Sequence, residues 1–232
     1  MKALLLNLYQ NLCNYRREGS YGYIQTYPLP TPSMIRGMVH SVLHLTEYKP
    51  LEISIQGESD GVVTNIQRVY KFDRDPKSRP DNPYQVLVRE SKKTATHGIS
   101  FVDQHINMRL IIHIRFNEEG LLEELFKGIQ QQIIIIGRNE DIARVDEVKL
   151  VKLFEPNTRH VITKLPMYVL PNILIDYAGT TLTLPFWYEN VSSFEENRVF
   201  HSINVNYVGK GTSLRKNEIL TDEDENIICM LS

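Results

Sequence analysis

Apolar runs of strand length alternate with apolar stripes of helix spacing along the first two thirds of the chain. That order limits the fold more than any other feature. Residues 3–8 (ALLLNL) form a continuous apolar run and predict a buried first strand. Thr31 is placed to cap a helix, with Pro32 in its first turn. Ile35, Met38, Val39 and Val42 then recur at helical spacing, with Arg36, His40 and His44 on another face. Leu51–Gln56 alternates as a strand does. Met108–Phe116 is a second strong strand, after which Asn117 is expected to cap a helix with the stripe Leu121, Leu122, Leu125, Phe126 and Ile129. Glu118 and Glu119 would then sit in its positive-potential first turn. Ile133–Ile136 and Val145–Phe154 read as further strands. The order strand, helix, strand, insertion, strand, helix, strand is the β-α-β-β-α-β pattern of an α+β, ferredoxin-like domain. Past Pro156 the helical periodicity stops. Short alternating runs at 168–170, 181–184 and 202–207 predict a small β-rich C-terminal region over 156–232. Its stretch 218–226 carries five acids and no base, and is expected to be solvated.

The insertion has its own chemistry. From Thr64 to His97 the bases are Arg68, Lys71, Arg74, Lys77, Arg79, Arg89, Lys92 and Lys93, against the acids Asp73, Asp75, Asp81 and Glu90. The segment is thus net +4 in a chain whose formal charge is -2. With Pro76, Pro80 and Pro83 inside it, it cannot be core and should project as a long loop or hairpin. A chain of 232 residues that is 42% hydrophobic sustains a packed core. Its overall charge excludes a globally basic nucleic-acid binder and leaves room for a local basic patch. Tyr70, Phe72 and Tyr84 lie among the eight bases, so the projection has groups for phosphates and groups for stacking on bases. The start of the first helix, at Pro32 and Ser33, offers free N–H groups to an anion, with Arg36 one turn in. The alternative is that both features are solvated surface.

Motifs for catalysis or cofactors fail on inspection. Gly209–Ser213 has the letters of a phosphate loop in the wrong order, and no nucleophile elbow or dinucleotide turn occurs. Asp222, Asp224 and Asn226 begin like a calcium loop, but Ile227 stands where the glycine is needed. His40 and His44 have metal-ligand spacing on a helix without a third ligand nearby, and read as an ordinary polar face. No metal or cofactor is therefore expected. His97–Gln104 places Gly98, Phe101 and Val102 as an RNA-recognition strand does, yet lacks aromatics at 99 and 104, so it reads as a plain strand entry. The two cysteines, Cys13 and Cys229, build no disulfide framework, and no run approaches a membrane span. A cytoplasmic protein is expected.

Two motifs carry a family resemblance. Thr26-Tyr27-Pro28-Leu29-Pro30-Thr31-Pro32-Ser33-Met34-Ile35-Arg36-Gly37-Met38 resembles the N-terminal signature of CRISPR-associated (Cas) family five. Ile136-Gly137-Arg138-Asn139-Glu140-Asp141 resembles that family's turn after the fourth strand, with Ile replacing Leu. The resemblance covers residues 1–155 and implies a ferredoxin-like (RRM/RAMP-type) palm with a thumb hairpin inserted at 64–105. It implies a non-catalytic, RNA-binding subunit of a type I Cascade surveillance complex, subtype I-B-like, at the 5′ handle of the guide RNA (crRNA). The backbone and large subunits would be its partners, with target DNA met only indirectly and no membrane.

The contacts it suggests are Tyr27, Ser33, Arg36, Arg68, Lys71, Arg74, Arg89, Lys92, Lys93 and Arg138. Gly37 and Gly137 would permit close backbone approach. Arg138 has a second reading, a pair with Glu140 or Asp141 that fixes its own turn. Some members, of subtype I-C, are metal-independent endoribonucleases that process the guide precursor with a Tyr, Lys and His cluster. Here Tyr84, Lys92, Lys93, His97, His105 and His113 could supply such groups, though no Lys-His dipeptide occurs, and His113 alternates within an apolar strand as a structural residue would. The third alternative is a protein-interaction module whose thumb charges are inert.

Overall fold

The computed structural model describes residues 1–74, 85–87, 94–175, 179–190 and 198–232. The described chain is mostly β, with two α-helices. In order it runs β1 (Lys2–Cys13), β2 (Tyr23–Ile24), α1 (Pro32–Val42), β3 (Leu51–Glu58), β4 (Gly61–Arg74), β5 (Gln85–Leu87), β6 (Thr94–Phe116) and α2 (Leu121–Gln131). There follow β7 (Ile134–Ile135), β8 (Ile142–Lys152), β9 (His160–Ile162), β10 (Met167–Val169), β11 (Thr180–Asn190), β12 (Arg198–Val208), β13 (Ser213–Arg215), β14 (Ile219–Thr221) and β15 (Ile227–Cys229). The main sheet has the order β11-β12-β10-β3-β6-β1-β8-β7, with β2, β4 and β5 also paired to β6.

The apolar run of β1 is continuous because both its faces are covered. Leu4, Leu6 and Leu8 join the core under α1 and α2, while Ala3 and Leu5 pack with Val151, Leu153 and Ile228 on the other side. Helix α1 forms as its sequence predicts. The Thr31 hydroxyl accepts from the Met34 N–H at 3.4 Å, Pro32 opens the helix, and Ile35, Met38, Val39 and Val42 are buried. Helix α2 corrects an expectation. Its N-cap is Gly120 at φ 90°, with no side-chain cap, and not Asn117. The turn after β6 needs a positive φ there, which glycine takes without strain, so the helix starts later. Its first-turn acids are therefore Glu123 and Glu124, and Glu118 instead pairs with Lys49 Nζ at 2.8 Å.

Where it is described, the insertion is a ribbon of β4 on β6, with the short β5 also paired to β6. β6 is a single strand of 23 residues, so the strand expected from Met108 begins at Thr94. Its outer half pairs with β4 and its inner half lies between β1 and β3. A polar segment sustains a ladder here because the ribbon stands in solvent on one face.

The C-terminal strands β10, β11 and β12 extend the main sheet from β3, and Leu231 exchanges backbone bonds with Ile53. The hairpin β14–β15 corrects the reading of a wholly solvated acidic stretch. Glu223, Asp224 and Glu225 are exposed, but the Asp222 side chain is fully buried. It accepts from His113 Nε2 at 2.9 Å and from the backbone N–H groups of Asp224 and Asn226. Burial alone would raise its pKa; the bonds from His113 and Asn226 outweigh that and bring it to about 2. Cys13 and Cys229 are free and buried, and burial pushes both thiols up to about 12. Among the described residues no helix is long and apolar enough to cross a membrane.

Candidate nucleic-acid interface

The register of the ribbon decides which side chains share a face. Directly opposed across β4 and β6 are Thr64 and Asp103, Ile66 and Phe101, Arg68 and Ile99, and Tyr70 and His97. Successive residues point to opposite faces, so these pairs and Phe72 form one side. β2 extends it, because Tyr23 pairs with Phe101 from the other edge of β6. Ile66, Tyr70, Phe72, Ile99, Phe101 and Tyr23 are all exposed, Ile99 by 74% and Phe72 by 65%. Arg68 is exposed among them. The rings of Tyr70 and Phe72 stack at 6.4 Å, and Tyr70 lies 6.0 Å from the His97 ring. The Tyr23 hydroxyl donates to Asp103 at 2.8 Å, which fixes the ring at the ribbon's foot. An exposed apolar-aromatic face of this kind marks an interaction site, and with a guanidinium on it the chemistry suits unstacked bases.

The two motifs that lie a hundred residues apart in sequence meet at that foot. Asp141 accepts from the Asn14 N–H at 3.0 Å, from the Arg138 N–H at 2.9 Å and from Arg138 Nε at 3.1 Å. Gln10 Nε2 donates to the carbonyls of Ile136 and Asp141, both at 2.9 Å, and its Oε1 accepts from the Tyr15 hydroxyl. Tyr15 then holds the other motif, since its N–H donates to the Thr26 hydroxyl and its carbonyl accepts from the Tyr27 N–H. The motifs also reach the ribbon directly. Arg138 Nη1 donates to Gln67 Oε1 at 2.8 Å, and Gln67 and Asn65 both donate to Gln104.

His105 at the foot touches Tyr27. Its Nε2 lies 2.8 Å from the Tyr27 carbonyl, an acceptor only, so Nε2 carries the proton. Nδ1 therefore accepts from the Ser59 hydroxyl at 3.0 Å. Burial holds His105 below the ordinary imidazole value, against the opposing effect of that carbonyl.

The structure brings some of the sequence-selected residues to this place and separates others. Tyr27 is buried there, under the Arg17 guanidinium at 5.5 Å. Gly137 and Arg138 form the turn at the foot, where Arg138 also pairs with Glu140 at 3.0 Å. Burial works against the Arg138 charge, but Asp141 more than offsets it and raises its pKa. Arg68 is on the ribbon face, and Lys71 and Arg74 are placed on β4 by their backbones. Arg89, Lys92, Lys93 and Tyr84 lie outside the described residues. Ser33, Arg36 and Gly37 are elsewhere, lining a cavity of about 400 Å³ between α1 and β11. Arg36 is buried, donating to the Leu51 carbonyl at 2.6 Å and to the Tyr48 hydroxyl at 3.3 Å. Sequence reasoning misses Tyr23, Ile66 and Ile99, and reads Phe101 only as part of a plain strand entry. The signal for them is the period-two match of 97, 99, 101 and 103 to 70, 68, 66 and 64, which needs the pairing register.

A family model described as CRISPR-associated protein (Cas_Cas5) matches residues 3–199. A chain of a solved CRISPR RNA-guided surveillance complex is 15% identical, with 91% of each chain covered and a TM-score of 0.56. A CRISPR protein from Archaeoglobus fulgidus is 11% identical over 98% of each chain, with a TM-score of 0.47. A chain of a type III-B Cmr-beta complex bound to cognate target RNA and AMPPnP is also 11% identical, covering 94% of this chain and 86% of its own, at 0.47. No curated protein matches the sequence.

Proposed function

We propose, from the premise that this chain belongs to the CRISPR-associated Cas5 family, that it is a non-catalytic subunit of an RNA-guided CRISPR effector complex and holds the 5′ handle of the guide RNA. The reading of residues 1–155 as a ferredoxin-like palm is supported by the sheet order β3-β6-β1-β8, the second, third, first and last strands of that pattern, with the 136–141 turn leading into the last strand rather than following it. The ribbon β4–β6 is then the thumb inserted in the palm, and β9–β15 with the rest of 156–232 the C-terminal region.

The single observation that carries the functional reading is the solvent-facing row of Tyr70, Phe72, Phe101 and Tyr23 with Arg68 among them. Splayed handle bases stack on these rings, while Arg68, Lys71, Arg74, Arg89, Lys92 and Lys93 meet phosphates. Backbone and large subunits of the complex are its protein partners, and target DNA is met only through them and the guide. Two histidines of the rival ribonuclease reading are used structurally, His113 by Asp222 and His105 by Ser59 and Tyr27.

The test is binding of the purified chain to single-stranded guide RNA carrying its handle. Stacking is worth about 1–3 kcal/mol per base, so Tyr70→Ala with Phe72→Ala weakens binding by at least about tenfold at unchanged Tm. Unaltered affinity in that double variant overturns the reading. Incubation with repeat RNA in EDTA is expected to leave the RNA intact, and specific cuts would favour the processing enzyme.

A further inference from the structure

The cavity between α1 and β11 belongs to no part of the ribbon, and its lining is more specific than packing requires. At about 400 Å³ it has the volume of a small-ligand site. Its wall is aromatic. Tyr48 lies 4.6 Å from Trp187, and Trp187 stacks on His201 at 4.1 Å with the planes 12° apart. Arg36, only 5% exposed, lines the cavity with its guanidinium 4.1 Å over the Phe186 ring. A guanidinium has five N–H donors. Among the described residues Arg36 makes two hydrogen bonds, and its Nε is buried with no partner. A donor withdrawn from water with nothing accepting from it is unfavourable, and the two bonds leave one further N–H on each of Nη1 and Nη2 for an acceptor in the cavity. At the rim are two exposed carboxylates, Glu47 and Glu189, the second 3.3 Å from His201 Nε2.

The geometry points to a binding pocket for a guanine base. Guanine is a planar ring with two adjacent acceptors, O6 and N7, for a guanidinium, and adjacent donors, N1–H and the N2 amine, for a carboxylate. Adenine sets an acceptor, N1, where guanine has a donor, and a carboxylate repels it. Cytosine and uracil lack the N7 acceptor edge. The acidic rim also disfavours a phosphate inside the cavity, so the pocket takes the base and leaves the phosphate out. The base comes from a free nucleoside or from an unpaired nucleotide of an RNA strand. Neither source depends on how the ribbon binds RNA.

Trp187 is the only tryptophan of the chain, so its fluorescence reports this pocket alone. The full chain is titrated with guanosine, GMP, adenosine and cytidine, and with short unstructured RNAs that contain or lack a single guanine. Guanosine is expected to change the Trp187 emission saturably, with GMP no tighter and adenosine and cytidine at least tenfold weaker. A response to guanine-containing RNA but not to guanosine keeps the pocket and assigns it to the strand. Arg36→Met should abolish the response. Because that variant could fail to fold, the exposed rim variants Glu47→Gln and Glu189→Gln are measured too, and at least one must reduce the preference for guanosine over adenosine. Tyr70→Ala with Phe72→Ala must leave the response intact, which separates this pocket from the ribbon. Equal affinity for all nucleosides, no response to any guanine probe, or saturation by an arginine amide that guanosine does not displace overturns the inference.

Discussion

Gly137 holds φ at +109°, and a Cβ there would lie 2.7 Å from the Asn14 carbonyl and 2.8 Å from an Asp141 carboxylate oxygen. Neither neighbour yields, because Asp141 is gripped by Arg138 and Asn14. Gly137→Ala therefore combines backbone strain of about 1–3 kcal/mol with a steric clash, and lowers Tm by at least several degrees in a thermal melt. Gly37 is the contrast. A Cβ added there meets nothing within 4 Å on an ordinary helix. Gly37→Ala is expected to raise stability by about 0.5–1 kcal/mol through helix propensity.

Asp222 gives a prediction with a pH sign. Its folded pKa, about 2, is below the ordinary aspartate value of 3.8, so the unfolded chain takes up the proton first. Its contribution is complete above about pH 4 and is lost as pH falls toward 2, amounting to about 2 kcal/mol. Asp222→Asn should be less stable than the wild type at pH 7 and lose less stability between pH 4 and pH 2. Equal slopes in that window, measured by denaturant titration, would refute the role given to the His113–Asp222 pair.

At the scale of elements, the hairpin β14–β15 acts as a clasp on the sheet. Ile228 packs on Ala3 and Leu5, Asp222 reaches His113 in β6, and Leu231 is bonded to Ile53 in β3. Truncation after Lys216 uncovers one face of β1 and removes the carboxylate that His113 Nε2 bonds. The shortened chain is expected to lose its cooperative melt, which circular dichroism would detect.

The elements differ in how far the sequence discloses them. The stripe of α1 and its Thr31 cap are legible, since both are local. The start of α2 is not, because a positive φ at Gly120 replaces a side-chain cap and leaves Asn117 looking like one. The ribbon is legible as a projection from its charge and prolines. Its strand character is set by the long-range pairing of 61–74 with 94–106. The same is true of the site. The two motifs are visible in sequence, but their meeting through Gln10, Asn14 and Tyr15 depends on side chains that no spacing rule selects. Arg36 shows the converse, a base that reads as available and is enclosed by Tyr48, Phe186 and the Leu51 carbonyl.

For the whole molecule, the proposed grip on guide RNA requires a chain of net charge -2 to attract a polyanion. Long-range steering by the body is weak, so the ribbon must supply both contact and charge. The two contributions respond differently to salt. Each phosphate neutralised on a single strand adds about −0.7 to the slope of log K against log salt, so six engaged cations give a slope of about −4. Stacking on Tyr70, Phe72 and Phe101 contributes no such slope, because no counterion is released. Lys92→Glu with Lys93→Glu should thus flatten the slope by about 1.4 or more. Tyr70→Ala with Phe72→Ala should lower affinity at every salt concentration and leave the slope in place. If instead the ribbon binds only protein, both double variants retain the wild-type slope and affinity for guide RNA. Measuring the three slopes, of the wild type and the two double variants, in filter-binding assays therefore separates a charge-led grip, a stacking-led grip and an inert ribbon from one another.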